Sequence, residues 1–162
     1  MTQRIACFHC GEAVERPGAW RTTIDGAERE MCCAGCRAVA EAIAAAGLSD
    51  YYRTRSQPGA AGVVPEELEA LRVWDDAEVQ ARFVRGTDTG GDEREATLLV
   101  DGMRCGACVW LLEQTLQRQP GVVGASVNLA TERATIRWNA AQMQLSRLLA
   151  AIGRIGYVAR PF

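Results

Sequence analysis

Residues 96–121 read ATLLVDGMRCGACVWLLEQTLQRQPG, and the fold turns on this stretch. ATLLV is a short, buried-type strand ending at Val100. Val109, Leu112 and Leu116 share one helical face, and Pro120-Gly121 stops the helix. Between strand and helix lie Cys105 and Cys108, three apart, beside Gly102 and Gly106, which mark an exposed loop. Downstream, Val123, Ala125, Val127 and Leu129 alternate, and so do Ala134, Ile136 and Trp138. Leu145, Leu148, Leu149, Ile152 and Ile155 return to helical spacing, and YVARPF closes as an edge strand that tolerates Pro161. Strand, helix, strand, strand, helix, strand is the split βαβ pattern of a ferredoxin-like sandwich.

Upstream the pattern is different. CFHCG is a tight turn carrying Cys7 and Cys10, and WRTTIDGAEREM reads as two short strands about Asp25-Gly26. CCAGCRAVAEAIAAAG opens with Cys32, Cys33 and Cys36 and continues as an Ala-rich helix from Ala34 to Ala46, stopped by Gly47. Knuckle, hairpin and cysteine-headed helix form the order of a treble clef. Pro65 to Val84 reads as helix in two pieces, with Asp75 as cap of the second. Two Gly-rich polar segments, SQPGAAG (56–62) and RGTDTGGDE (85–93), read as loops or linkers. The expected fold class is α+β, with a cysteine-rich metal domain and helical linker over 1–92 and a ferredoxin-like domain over 93–162.

The formal charge of −2 and a pI near 5.5 argue against nucleic acid as a partner. MTQRIACFHC lacks the apolar core of a secretory signal, and no apolar run is long enough to span a membrane. The expectation is a soluble chain. Seven cysteines without an export signal point to metal or redox work in a reducing compartment. No phosphate loop G-x-x-x-x-G-K-[ST] is present, nor an Asp-Lys-Thr-Gly motif. Asp75-Asp76 and Glu66-Glu67 read as helix-starting charges, the four tryptophans as core, and Arg133 and Arg137 as a solvated strand face.

Cys105 and Cys108 fit three uses: a redox disulfide, a zinc clamp or a grip on a soft metal. A helix N-terminus lowers a thiol's pKa, so thiolate is available near neutral pH. Zinc wants four ligands, and this half offers two cysteines and no histidine. Two thiolates alone favour Cu(I), loosely enclosed and easy to hand on. A thioredoxin-like disulfide is the alternative, although Trp110 follows the pair and 69 residues are short for that fold. In the first half, Cys7, Cys10, Cys36 and either Cys32 or Cys33 make a four-thiolate set with one thiol spare. His9, the single histidine, reads as a solvated turn residue rather than a ligand.

GMRCGACVWLLE, NLATERATI and the closing GYVARPF resemble the heavy-metal-associated domain of copper-translocating P-type ATPases. The resemblance implies Cu(I) held by Cys105 and Cys108, Met103 packed beneath the loop and Tyr157 shielding it. Arg104 stands where threonine is common in that family. CFHCGEAV, CCAGCRAVAEAI and GLSDYYRTR resemble the cysteine-rich domain that precedes it in a subgroup associated with cytochrome oxidase assembly. That makes Cu(I) a rival of Zn(II) in the cluster from Cys7 to Cys36. It also implies a copper chaperone and the transmembrane and ATP-hydrolysing domains of a pump as partners, on the cytoplasmic side of a membrane. No residue here would then catalyse ATP hydrolysis.

Overall fold

The computed structural model describes residues 3–60, 65–87 and 91–162. In chain order its elements are β1 (Arg21–Ile24), β2 (Ala27–Glu30), α1 (Ala34–Ala45), α2 (Asp50–Thr54), a 3-10 helix (Pro65–Asp75) and α3 (Ala77–Gln80). They continue with β3 (Arg85–Gly86), β4 (Glu93–Asp101), α4 (Gly106–Gln117), β5 (Val122–Asn128), β6 (Arg133–Asn139), α5 (Leu145–Arg154) and β7 (Val158–Pro161).

The first half is built as knuckle, hairpin and helix. Asp25 (φ 51) and Gly26 (φ 79) both take the left-handed backbone that a tight two-residue hairpin turn requires. Cys33 is the N-cap of α1, its sulfur accepting from the Cys36 N–H at 3.4 Å. At the other end Gly47 (φ 70) lets the Leu48 N–H reach back to the Ile43 carbonyl (3.0 Å), and Leu48 then buries itself.

The second half is a ferredoxin-like sandwich. The antiparallel sheet runs β5-β6-β4-β7, with β3 pairing the first residues of β4 on the edge that β7 takes at its end. Ala96, Leu98 and Val100 of β4 and Ala134, Ile136 and Trp138 of β6 turn inward. There they meet Leu111, Leu112 and Leu116 of α4 and Leu145, Leu148, Leu149 and Ile152 of α5. The same apolar cluster takes in Val39 and Ile43 of α1, Leu48 after it and Tyr51 of α2. The Arg118 guanidinium donates to the Ala46 carbonyl (2.6 Å), closing the end of α1 from the second half.

Two expectations are corrected. The alternation read through Val123 to Leu129 fails, because a bulge between Val122 and Gly124 shifts the register. Val123 is therefore exposed, Leu129 is exposed because it lies beyond the end of β5, and Val127 alone of the four is buried. The cap of α3 is Asp76, whose carboxylate accepts from the Glu78 and Val79 N–H groups. Asp75 instead caps α5 from a distance, accepting from the Ser146 N–H (2.8 Å) and hydroxyl (2.5 Å). Among the described residues no helix is long and apolar enough to cross a membrane. Residues 61–62 and 88–90, within the two loop segments, lie outside the described residues.

Candidate metal sites

The knuckle and the start of α1 bring four sulfurs together. The Sγ atoms of Cys7, Cys10, Cys32 and Cys36 all lie within 4.8 Å of one another. Cys10 to Cys32 is 3.6 Å, and Cys32 to Cys36 is 3.7 Å. A Zn–S bond of about 2.3 Å in a tetrahedron places sulfurs about 3.8 Å apart, close to these two separations, so four thiols gathered this near suit a single tetrahedral ion. Of the two alternatives open at Cys32 and Cys33, the geometry gathers Cys32. Cys33 stands beside the group with its sulfur turned to the backbone of α1. A neighbour that sequence reading passed over is Met31, fully buried with its Sδ 4.0 Å from Cys7 Sγ.

Without an ion the four thiols polarise one another. A hydrogen bond from Cys36 brings the Cys7 thiol down to about 4, against the upward push of burial. Burial, then the contact with Cys10, raises Cys32. Cys33 is raised by burial, but N–H groups of Cys36 and Gly35 and the thiols of Cys32 and Cys36 outweigh it, so its pKa falls. A pocket holding thiolate beside thiol is a cation's pocket: the ion displaces the remaining protons and takes the charge.

Cys105 and Cys108 occupy the head of α4, Cys105 as its N-cap and Cys108 in the first turn. The Arg104 N–H points at Cys108 Sγ (3.5 Å), and Met103 is buried below. The expected open loop is not observed. Cys105 is 8% and Cys108 1% exposed, because Ser56 and Ala60 and the ring of Tyr51 lie over the loop. Burial pushes the Cys105 thiol up. Hydrogen bonds from the Ser56 N–H and hydroxyl, and from the N–H groups of Ala107 and Cys108, more than reverse this and bring it to about 6. Gly102 (φ 102) is needed there, since a Cβ would stand 3.0 Å from Ala60 Cβ and 3.4 Å from the Tyr157 ring. The hydroxyls of Tyr51 and Tyr157 are buried without a hydrogen-bond partner, and burial raises the pKa of both.

His9 also departs from expectation. It is 1% exposed, not solvated. Nδ1 meets the Tyr52 hydroxyl (2.9 Å) and Nε2 the Ala60 carbonyl (2.8 Å), and burial lowers its pKa to about 4. A tight knuckle carries it inward, against the very segment that covers Cys105. It is held by these two partners and lies outside the four-sulfur group. Ser56, Tyr51 and Tyr52 had no signature of their own in sequence, since their roles arise only when the halves pack.

Comparison with known proteins finds a family match in each half. A family model described as "Putative metal-binding domain of cation transport ATPase" matches residues 6–88, just over half of the chain. The chain belongs to that family. The heavy-metal-associated domain model then matches residues 97–158, the sandwich with Cys105 and Cys108. A copper-exporting P-type ATPase of Staphylococcus saprophyticus is 40% identical over 80 residues, 49% of this chain and 10% of that protein. Copper-transporting ATPase 2 of Rhizobium meliloti is 44% identical over 63 residues, 39% of this chain and 8% of that one. The chain thus spans about a tenth of the length of these curated relatives. Among solved structures, the apo copper chaperone of Enterococcus hirae is 32% identical, with 41% of this chain covering 97% of it at a TM-score of 0.39.

Proposed function

We propose that this chain is the metal-handling region of a copper-translocating P-type ATPase, binding Cu(I) through Cys105 and Cys108 and zinc through the four-sulfur cluster. The observation that carries the reading is the pair at the head of α4. Among the described residues it is two sulfurs outside any larger group of cysteine, histidine or carboxylate ligands, one brought to about 6 by backbone and hydroxyl donors, in a domain of the heavy-metal-associated family. Two soft ligands suit a cargo that must leave again. Four sulfurs at tetrahedral spacing suit an ion that stays.

The chemistry is ligand exchange. A donor's thiolate bridges to the pair, a new Cu–S bond forms as the old one breaks, and no electron moves. A small copper-carrying protein on the cytoplasmic side is the donor, the transport path of the parent protein the acceptor, and ATP hydrolysis belongs to the parent. Native mass spectrometry of the reduced chain, titrated with Cu(I) against a competing chelator, tests this. Cys105→Ser/Cys108→Ser should lose one tightly held copper while keeping its zinc. A wild type that takes up no copper refutes the reading and brings forward a thiol–disulfide exchange role for the same pair.

A further inference from the structure

By composition residues 56–60 are linker, yet residues 55–60 touch both sulfur sites. The Arg55 guanidinium donates to the carbonyls of Phe8 and of His9 (2.6 Å to the latter). The Gly59 N–H donates to the His9 carbonyl at 2.8 Å, and the Ala60 carbonyl meets His9 Nε2 at 2.8 Å. Pro58 lies against Gly11, where a Cβ would stand 3.2 Å from its ring. Phe8 and His9 are the two residues between Cys7 and Cys10, and Gly11 follows them, so every one of these ties ends on the knuckle. On the opposite side Ser56 lies beside Cys105, and Ala60 packs on Gly102.

We infer that residues 55–60 are a strap coupling the two sulfur sites, in which metal in the cluster shapes the knuckle, the knuckle holds the strap, and the strap governs ligand exchange at Cys105 and Cys108. This deepens the proposed function and rests on it. Exchange needs an incoming thiolate to reach a sulfur, and 8% and 1% exposure give it no approach while the strap is closed. The knuckle keeps its shape when Cys7 and Cys10 are bound to one ion, because the ion fixes both ends of the Phe8-His9 backbone that anchors the strap. The coupling is reciprocal: what loosens the strap also weakens the hold of the cluster on its metal. In this arrangement the cysteine-rich half is a gate on copper transfer as well as a metal site, and the docking partner must displace part of this same chain.

The test uses the full chain with zinc in the cluster and one equivalent of Cu(I), its composition checked by native mass spectrometry. Two quantities are read: the rate at which a bidentate Cu(I) chelator strips the pair, and amide hydrogen exchange in residues 55–60 and 102–108. Arg55→Ala should keep zinc, exchange faster in both segments and release copper at least about tenfold faster, since it removes two hydrogen bonds from a charged group. Ser56→Ala should speed release in the same direction, and Ser56→Thr, which keeps the hydroxyl, should restore it. Zinc-depleted wild type should resemble Arg55→Ala. The inference is overturned if Arg55→Ala frees residues 55–60 while release and exchange in 102–108 stay at wild-type values. If the pair binds no copper in any sample, the proposed function is what fails. Amide exchange in 102–108 then decides alone, with no change on strap release refuting the strap.

Discussion

In the first half the cysteines are the core. Among the described residues, Cys7, Cys10 and Cys36 share their buried cluster with Val14, Ile24, Met31 and Ala40, and Phe8, Trp20, Ala44 and Tyr52 pack against it. In the second half Cys105 and Cys108 lie at the margin of a core built of leucine, isoleucine, valine and Trp138. One half has sulfur in much of the place of hydrocarbon, while the other folds on hydrocarbon and carries its pair beside that core. The difference favours the proposed division, in which the cluster keeps its ion and the pair exchanges one.

The largest effect should come from breaking the cluster. Structural zinc in small domains contributes on the order of 10 kcal/mol, a large share of the stability of a segment with so small an apolar core. Cys36→Ser should lose the metal and the protected amides of β1, β2 and α1, while the β4 and β6 amides stay protected. Cys105→Ser/Cys108→Ser should leave both halves folded. Hydrogen exchange read by mass spectrometry separates the cases, and equal disruption by both variants would erase the distinction drawn above.

The next effect tests how far the halves are independent. Ile43 belongs to α1 but is buried in the large cluster with α4 and α5. Ile43→Ala should cost about 2–5 kcal/mol, and the loss should appear in the unfolding of the sandwich, not only of the first half. A sandwich that unfolds as in the wild type would show that the shared cluster carries no cooperativity.

What could be read in the sequence divides along the same line. The sandwich announced itself, because Leu98, Leu112, Ile136 and Leu149 lie on periodic faces that need no distant partner to interpret. The CxxC spacings identified the sulfur sites for a similar reason, since three residues at a knuckle or helix start fix the distance between ligands. What was illegible depends on segments far apart in the chain coming together. His9 reads as a solvated turn residue until Ala60 and Tyr52 close on it, and Ser56 as linker until Cys105 lies beneath it. Val123 was misread for a local reason: a bulge leaves no mark on alternation.

A third effect separates the sites by pH. Cys105 has a folded-state pKa of about 6 against an ordinary thiol value of 9.0. With the folded value the lower one, the contribution to stability is full above the ordinary value and is lost as pH falls through about 6. Ultraviolet thiolate absorption, wild type minus Cys105→Ser, should show a midpoint near 6 in the copper-free chain. Ser56→Ala should move that midpoint upward. A midpoint in the ordinary thiol range would mean that Ser56 does not reach Cys105 in solution.

The smallest effect divides two neighbours on α2. Tyr52 faces the cluster side and gives His9 Nδ1 its partner at 2.9 Å. Tyr52→Phe leaves a buried ring nitrogen unpaired and should cost about 1–3 kcal/mol. Tyr51 is fully buried, and its hydroxyl makes no hydrogen bond of ordinary geometry, its polar neighbours being the Tyr157 hydroxyl and the Arg55 guanidinium. Its removal leaves nothing unpaired, while the ring that packs in the shared cluster remains. Tyr51→Phe should therefore be neutral or stabilise by up to about 1 kcal/mol. Chemical denaturation of the two variants side by side gives the sign directly. Destabilisation by Tyr51→Phe as large as that by Tyr52→Phe would mean that the Tyr51 hydroxyl has a partner at the sulfur pair in solution, and that the two sites are less different in their polar demands than their cores suggest.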